Sequence, residues 1–154
     1  MMKKNNKIIW LTGQPGSGKT TLANSLRDAI LKKLPSVDLM IIDGDDLRDI
    51  TINKDYSRKG RERNIRTAQN IAQFIFNKEY ITIVSLVAPY RSLREDFKSR
   101  VPVFEVYLHT SQIRGREEYF AEDYNPPIDN FLSIDTGKNS IKDCTNIILS
   151  KFEL

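Results

Sequence analysis

Gly13-Gln14-Pro15-Gly16-Ser17-Gly18-Lys19-Thr20 completes the pattern G-x-x-x-x-G-K-[ST], directly after an apolar run and directly before a helix-like pattern. That context is what gives the spacing its meaning. Glycines at Gly13, Gly16 and Gly18 let the backbone wrap so closely that successive N–H groups, Ser17 among them, point at phosphate oxygens, with Pro15 shaping the turn. The helix that opens at Lys19 adds the positive end of its dipole. Lys19 supplies a full charge to the β- and γ-phosphates of a nucleotide, and the Thr20 hydroxyl can ligate Mg²⁺, with Thr21 beside it. A second group of chemical interest is Asp43-Gly44-Asp45, which follows the apolar run Leu39 to Ile42. Asp45 is the best candidate to orient or deprotonate an acceptor hydroxyl, or to hold Mg²⁺ through water; its structural alternative is a helix cap. Asp43 has the same choice, with the structural role ahead.

These groups need a scaffold, and the periodicity supplies one. Ile8 to Leu11 reads as a buried strand feeding the glycine-rich turn. Leu22, Leu26, Ile30 and Leu34 then recur at helical spacing until Pro35 ends the helix. Leu39 to Ile42 is a second strand, so its acidic groups sit where a strand runs out, the place where open α/β sheets bind ligands. Residues 48 to 60 are weakly patterned and predict a loop with short helical pieces. Arg61 to Asn77 carries an apolar stripe of Ile65, Ala68, Ile71, Ala72, Ile75 and Phe76, an amphipathic helix. Ile81 to Val87 is another buried strand, and Pro89 breaks it. A helix over Leu93 to Arg100 and strands at Val103 to Leu108 and Phe131 to Ile134 follow. Gln112 to Asn125 is charged and mobile-looking, and Ser140 can cap a last helix reaching Phe152. Strands alternating with helices predict an α/β fold, a P-loop NTPase three-layer sandwich with a mostly parallel five-stranded sheet, in one domain over residues 1–154.

Composition narrows the partners. The 154 residues are 40% hydrophobic and 29% charged, with no run long or apolar enough to span a bilayer. Met1 to Lys7 is polar and basic, so no export signal is expected. The single cysteine, Cys144, excludes an internal disulfide and reads as a small buried residue of the last helix, which suits a cytoplasmic location. A net charge of +4 is scattered, with a concentration at Arg58, Lys59, Arg61, Arg63 and Arg66. Most of that is a solvated helix face; one or two of these residues are candidates for a phosphate cleft, and a nucleic-acid or membrane partner is not expected. Asn53-Lys54 and Asn77-Lys78 both fail to complete the Asn-Lys-x-Asp guanine motif, which argues against a GTPase switch.

Taken together, the P-loop, Ile42-Asp43-Gly44-Asp45-Asp46-Leu47-Arg48, Arg61-Glu62-Arg63-Asn64-Ile65-Arg66 and Ala88-Pro89-Tyr90-Arg91 resemble adenylylsulfate kinase, in family order and over most of the chain. The resemblance implies an ATP- and Mg²⁺-dependent kinase that phosphorylates the ribose 3′-hydroxyl of a small nucleotide acceptor, giving 3′-phosphoadenylylsulfate from adenylylsulfate. It also implies a homodimer. Arg48 and Arg61 match family positions that hold the acceptor's anionic groups, work that suits a guanidinium; surface salt bridges are the alternative. Asn64 matches a position that could read the acceptor by its amide, and Tyr56 stands where the family has an aromatic stacked on the acceptor base. Val87 and Ala88 fall at the acceptor side.

Two departures from the family bear on the acceptor. The lid, about residues 112–125, is much shorter and lacks the Arg-Asp-x-Lys-Gly-Leu-Tyr stretch, of which Arg114-Gly115-Arg116 is the remnant; Phe120 is a candidate for the lid's stacking Phe. Ala88 also replaces the serine before Pro-Tyr. The expected activity is therefore adenylylsulfate-kinase-like, with two alternatives. One is the same chemistry on another activated nucleotide, such as cytidine diphosphoramidate in capsular polysaccharide modification. The other is a non-catalytic nucleotide-binding regulatory protein, against which intact Lys19, Thr20 and Asp45 argue. His109 reads as a strand-end residue, and Thr136 and Gly137 as neighbours of the ATP base.

Overall fold

The computed structural model describes residues 8–152, so the reading of Met1 to Lys7 lies outside it. The central strand is β1 (Ile8–Thr12), buried along its whole length. Because successive side chains of a strand point to opposite faces, β1 feeds two cores at once. Ile9 and Leu11 pack with Leu22, Leu26 and Ile30 of α1 (Lys19–Lys33) and with Ile148 and Phe152 of α5 (Ile141–Phe152). Ile8 and Trp10 pack on the other face with Ile65, Ala68 and Ala72 of α3 (Arg58–Asn77) and Phe97 of α4 (Arg91–Arg100). Burying each large aliphatic side chain contributes about 1.5–3 kcal/mol, which is why helices cover both faces.

The remaining strands are β2 (Leu39–Asp43), β3 (Ile81–Ser85), β4 (Val103–His109) and β5 (Phe131–Asp135). They form one sheet in the order β2-β3-β1-β4-β5. Every pairing is parallel, with Leu11 opposite Ser85 on one side and Val106 on the other, and Asp43 opposite Ser85. The C-terminal ends of β1, β2 and β3 therefore reach one edge of the sheet, and β1, flanked by β3 and β4, lies where the strand order reverses.

Local chemistry sets the element ends more tightly than periodicity does. The weakly patterned stretch contains α2 (Gly44–Thr51), whose N-cap is Asp43: its carboxylate accepts from the Asp45 N–H at 2.9 Å. α3 begins at Arg58 rather than Arg61 because the Ser57 hydroxyl accepts from the Gly60 N–H. Ser140 does bond the Asp143 N–H at 3.0 Å at the start of α5, and Cys144 is buried there. Residues 112–125, which read as mobile, hold a 3₁₀ turn at Glu117–Tyr119 and several long-range hydrogen bonds to the β1–α1 loop. No helix among the described residues is long and apolar enough to cross a membrane.

Candidate active site

A cleft of about 480 Å³ opens where the three strand ends converge. Its phosphate side is built by the β1–α1 loop. Gly16 and Gly18 take positive φ of 82° and 100°, which the loop requires to turn its amides inward. Gly13 lies beneath the cleft wall, where a Cβ would run into the Leu108 carbonyl oxygen. Ser17 is also beneath the wall, its hydroxyl 3.4 Å from Lys19 Nζ. Lys19 is almost fully buried and donates to the carbonyls of Gly13 and Gln14, each at 3.0 Å. Burial pulls its pKa down to about 8, with Asp45 and Asp43 opposing and Arg116 reinforcing the depression.

The Thr20 hydroxyl donates to Asp43 Oδ2 at 3.0 Å. Asp43 thus serves the α2 cap with one oxygen and meets Thr20 with the other. That leaves Asp45 out of the cap: its backbone N–H is the group being capped, and among the described residues no hydrogen bond or ion pair engages its carboxylate, which lines the cleft. The contact between Asp43 and Thr20 was not legible in sequence, although a carboxylate at a strand end next to a P-loop was its available signal. Thr20, Asp43 and Asp45 are hard oxygen donors grouped beside Lys19, a set that fits Mg²⁺, which uses one or two carboxylates together with phosphate and water oxygens.

The acceptor side holds the remaining candidates. Arg48, Tyr56, Arg61, Asn64, Val87 and Ala88 all line the same cleft, as do Pro15, Thr20 and Thr21 on the phosphate side. Arg48 donates to the carbonyls of Asn53 and Asp55, each at 3.0 Å, and its guanidinium lies 4.0 Å from the Tyr56 ring centre. Arg61 donates to the Tyr56 carbonyl at 2.9 Å. Neither arginine is in a salt bridge among the described residues; both are pinned to loop carbonyls with nitrogens left over. Asn64 is 5% exposed and donates Nδ2 to the Gly44 carbonyl, while its buried Oδ1 has no hydrogen-bond partner among the described residues.

Ala88 takes a positive φ of 44°, and its carbonyl is held at 2.6 Å by the buried Arg94. Arg94 also pairs with Glu105 at 2.9 Å and donates to the Asn125 carbonyl. Tyr124 stacks on Tyr107, and its hydroxyl lies 2.7 Å from that of Thr12, which in turn donates to the Val87 carbonyl. Burial holds the Tyr124 phenol above its ordinary pKa, so it remains a neutral hydrogen-bonding group. This support for the acceptor wall was missed in the sequence, because its members are far apart along the chain. The short lid adds Arg114, Arg116 and Tyr119 to the lining, whereas Phe120 does not reach it. Thr136 bonds the Ser17 carbonyl at 2.7 Å, and His109 ends β4 beside Ser133.

A parallel sheet in the order 2-3-1-4-5, with a P-loop lysine, a hydroxyl–carboxylate pair and a second polar wall across one cleft, defines a P-loop phosphotransferase. The family model for adenylylsulphate kinase matches residues 5–136, and the chain belongs to that family of ATP-dependent kinases. An adenylyl-sulfate kinase of Prochlorococcus marinus is 32% identical, covering 94% of this chain and 82% of its own. A cytidine diphosphoramidate kinase of Campylobacter jejuni is 31% identical, covering 87% of this chain and 81% of its own. The APS kinase of Mycobacterium tuberculosis, solved in complex with AMPPNP and APS, shares the fold with a TM-score of 0.84 at 20% identity, covering 97% and 99% of the two chains.

The two relatives differ in the chain they carry. Matching 94% of 154 residues takes 166 aligned positions with the Prochlorococcus enzyme, leaving about 21 where that enzyme has a residue and this chain has none. Matching 87% of 154 residues takes 139 positions with the Campylobacter enzyme, leaving about 5.

Proposed function

We propose that this chain transfers the γ-phosphoryl group of ATP to the ribose 3′-hydroxyl of an activated nucleotide, with adenylylsulfate as the reference acceptor. The observation that carries the reading is the meeting, in one cleft, of the phosphate loop with an unengaged Asp45 carboxylate and an Arg48, Arg61 and Asn64 wall. Backbone N–H groups and Lys19 hold the triphosphate and follow charge onto the transferring phosphoryl. Thr20, Asp43 and Asp45 would hold Mg²⁺, which when bound would supply charge neutralisation to the triphosphate. Asp45 accepts or orients the proton of the 3′-hydroxyl. Arg48 and Arg61 hold the acceptor's anionic groups, Tyr56 stacks on its base, and Asn64 reads the acceptor by its amide. A cytoplasmic location and a homodimer go with this reading, the first supported by the lone, buried Cys144 and the second by family resemblance.

A specific observation favours a second reading, in which the acceptor is cytidine diphosphoramidate. The shortfall of about 21 positions against the adenylyl-sulfate kinase and of about 5 against the cytidine diphosphoramidate kinase supports it, as does Ala88 in place of a serine. A smaller base tolerates a shorter cover. A coupled ADP-release screen of adenylylsulfate, cytidine diphosphoramidate and plain nucleotides tests both readings. Acceptor-dependent ADP release with either activated nucleotide supports the kinase reading; the larger kcat/KM assigns the acceptor. ADP release that ignores every acceptor overturns both.

A further inference from the structure

We propose that Gln14 is a positioning residue that clamps the short lid to the phosphate loop, so that Arg116 is presented to the triphosphate site before any nucleotide arrives. Gln14 is the first variable position of the loop, one that phosphate binding by backbone amides leaves free to be any residue. Here its side-chain amide makes a reciprocal pair with one backbone unit 107 positions away: Nε2 donates to the Ala121 carbonyl, and the Ala121 N–H donates to Oε1, each at 2.9 Å. Ala121 is 4% exposed, so its backbone is sealed by this pair.

The clamp has a geometric consequence at the other end of the segment. Arg114 donates to the Gly16 carbonyl at 2.9 Å and to the Thr136 hydroxyl and carbonyl at 3.1 and 3.0 Å. The Arg116 stem then lies directly over the phosphate loop: a Cβ built on Gly16 would stand 3.2 Å from Arg116 Cβ. These bonds, with one more from Nη2 to Gln112 Oε1 at 3.2 Å, engage both terminal nitrogens of Arg114. Among the described residues, by contrast, no hydrogen bond or ion pair holds the Arg116 guanidinium, which lies 5.5 Å from the Tyr119 ring centre and lines the cleft. Its charge is close enough to Lys19 to help depress that lysine. A second cation so placed stands where the transferring phosphoryl spreads charge over its equatorial oxygens.

The catalytic half of this inference rests on the kinase reading, so the test separates the two. Gln14→Met and Gln14→Leu keep bulk and remove both hydrogen bonds; each variant is first matched to the parent in melting temperature. In ligand-free protein, tryptic cleavage after Arg114 and Arg116 and exchange of the Ala121 amide should both accelerate, by about five- to hundredfold for the loss of a pair of bonds. With ATP and the best acceptor, kcat should fall by a similar factor while the Kd for ATP stays within about threefold. In an Arg116→Ala background, Gln14→Met should cost kcat little further, because the residue acts through Arg116.

Unchanged cleavage and exchange would overturn the clamp. Faster cleavage with unchanged kcat, or full additivity with Arg116→Ala, would overturn the positioning role. A parent protein that transfers phosphate to no acceptor overturns the kinase reading and the catalytic half together, and the Ala121 exchange then decides the clamp alone.

Discussion

Arg94→Met removes a cation that the fold cannot replace. Arg94 and Glu105 are 2% and 1% exposed at the side chain and meet at 2.9 Å, and Arg94 also holds the carbonyls of Ala88 and Asn125. Methionine fills a similar volume but leaves Glu105 with Lys98 as its remaining partner, 2.9 Å away, and leaves both carbonyls short of a donor. Breaking a buried pair from one side costs about 3–5 kcal/mol, a large share of the 5–15 kcal/mol, roughly, that holds a domain together. For a chain of this length that is a fall in Tm of about 6–20 °C. Urea unfolding followed by far-UV circular dichroism, with thermal melts beside it, measures both. The double variant Arg94→Met/Glu105→Leu should recover part of the loss, because no buried carboxylate is left short of its arginine while Lys98 keeps Glu95 and two backbone carbonyls. A cost below about 1 kcal/mol for the single variant, or no recovery in the double, would refute the reasoning from buried charge.

The other predictions concern the cleft. Asp45→Asn should abolish most turnover and leave ATP binding largely unchanged, read by isothermal titration and steady-state kinetics; a loss of stability with turnover intact would make Asp45 structural. Arg48→Ala and Arg61→Ala should each raise the acceptor KM by about 10- to 150-fold, the worth of a charged hydrogen bond of about 1.5–3 kcal/mol, with little change for ATP. Tyr56→Ala should add to that for any base-bearing acceptor. Burial pulls the Lys19 pKa down to about 8 in the free protein, and a bound phosphate would raise it. Below pH 8 the lysine is charged in both states and contributes no pH dependence. Above pH 8 binding takes up a proton, so the Kd for ATP should rise by up to about tenfold per pH unit. Calorimetry in buffers of different ionisation enthalpy should report that uptake, and Lys19→Arg should remove it.

What was legible in the sequence is what is contiguous in the sequence. The P-loop, the acidic turn after β2 and the residues after β3 each fit in a few positions, and a parallel sheet brings strand ends to one edge; the candidate residues from Pro15 to Ala88, Ser17 apart, therefore share a cleft. α2 could have been read: Asp43 caps it, and Asp45 and Asp46 occupy its first turn. The support shell could not. Gln14 meets Ala121, Thr12 meets Tyr124 and Arg94 meets Asn125 across tens of residues with no periodic signature. For the same reason the 112–125 segment read as loose, its charges hiding Arg114's bonds to Gly16 and Thr136. Phe120 and Tyr119 are neighbours in sequence, and only the 3₁₀ turn at Glu117–Tyr119 decides that Tyr119 is the one at the cleft.

The central claim is that the phosphoryl group goes to the ribose 3′-hydroxyl of an activated nucleotide. It is tested most directly by phosphorus NMR of the product formed from ATP, Mg²⁺ and adenylylsulfate or cytidine diphosphoramidate, with correlation to the ribose protons. The account predicts a new phosphomonoester signal coupled to H3′, growing one for one with ADP and absent in Lys19→Ala and Asp45→Asn. A signal coupled to another position, or ADP appearing with inorganic phosphate and an unaltered acceptor, would contradict it.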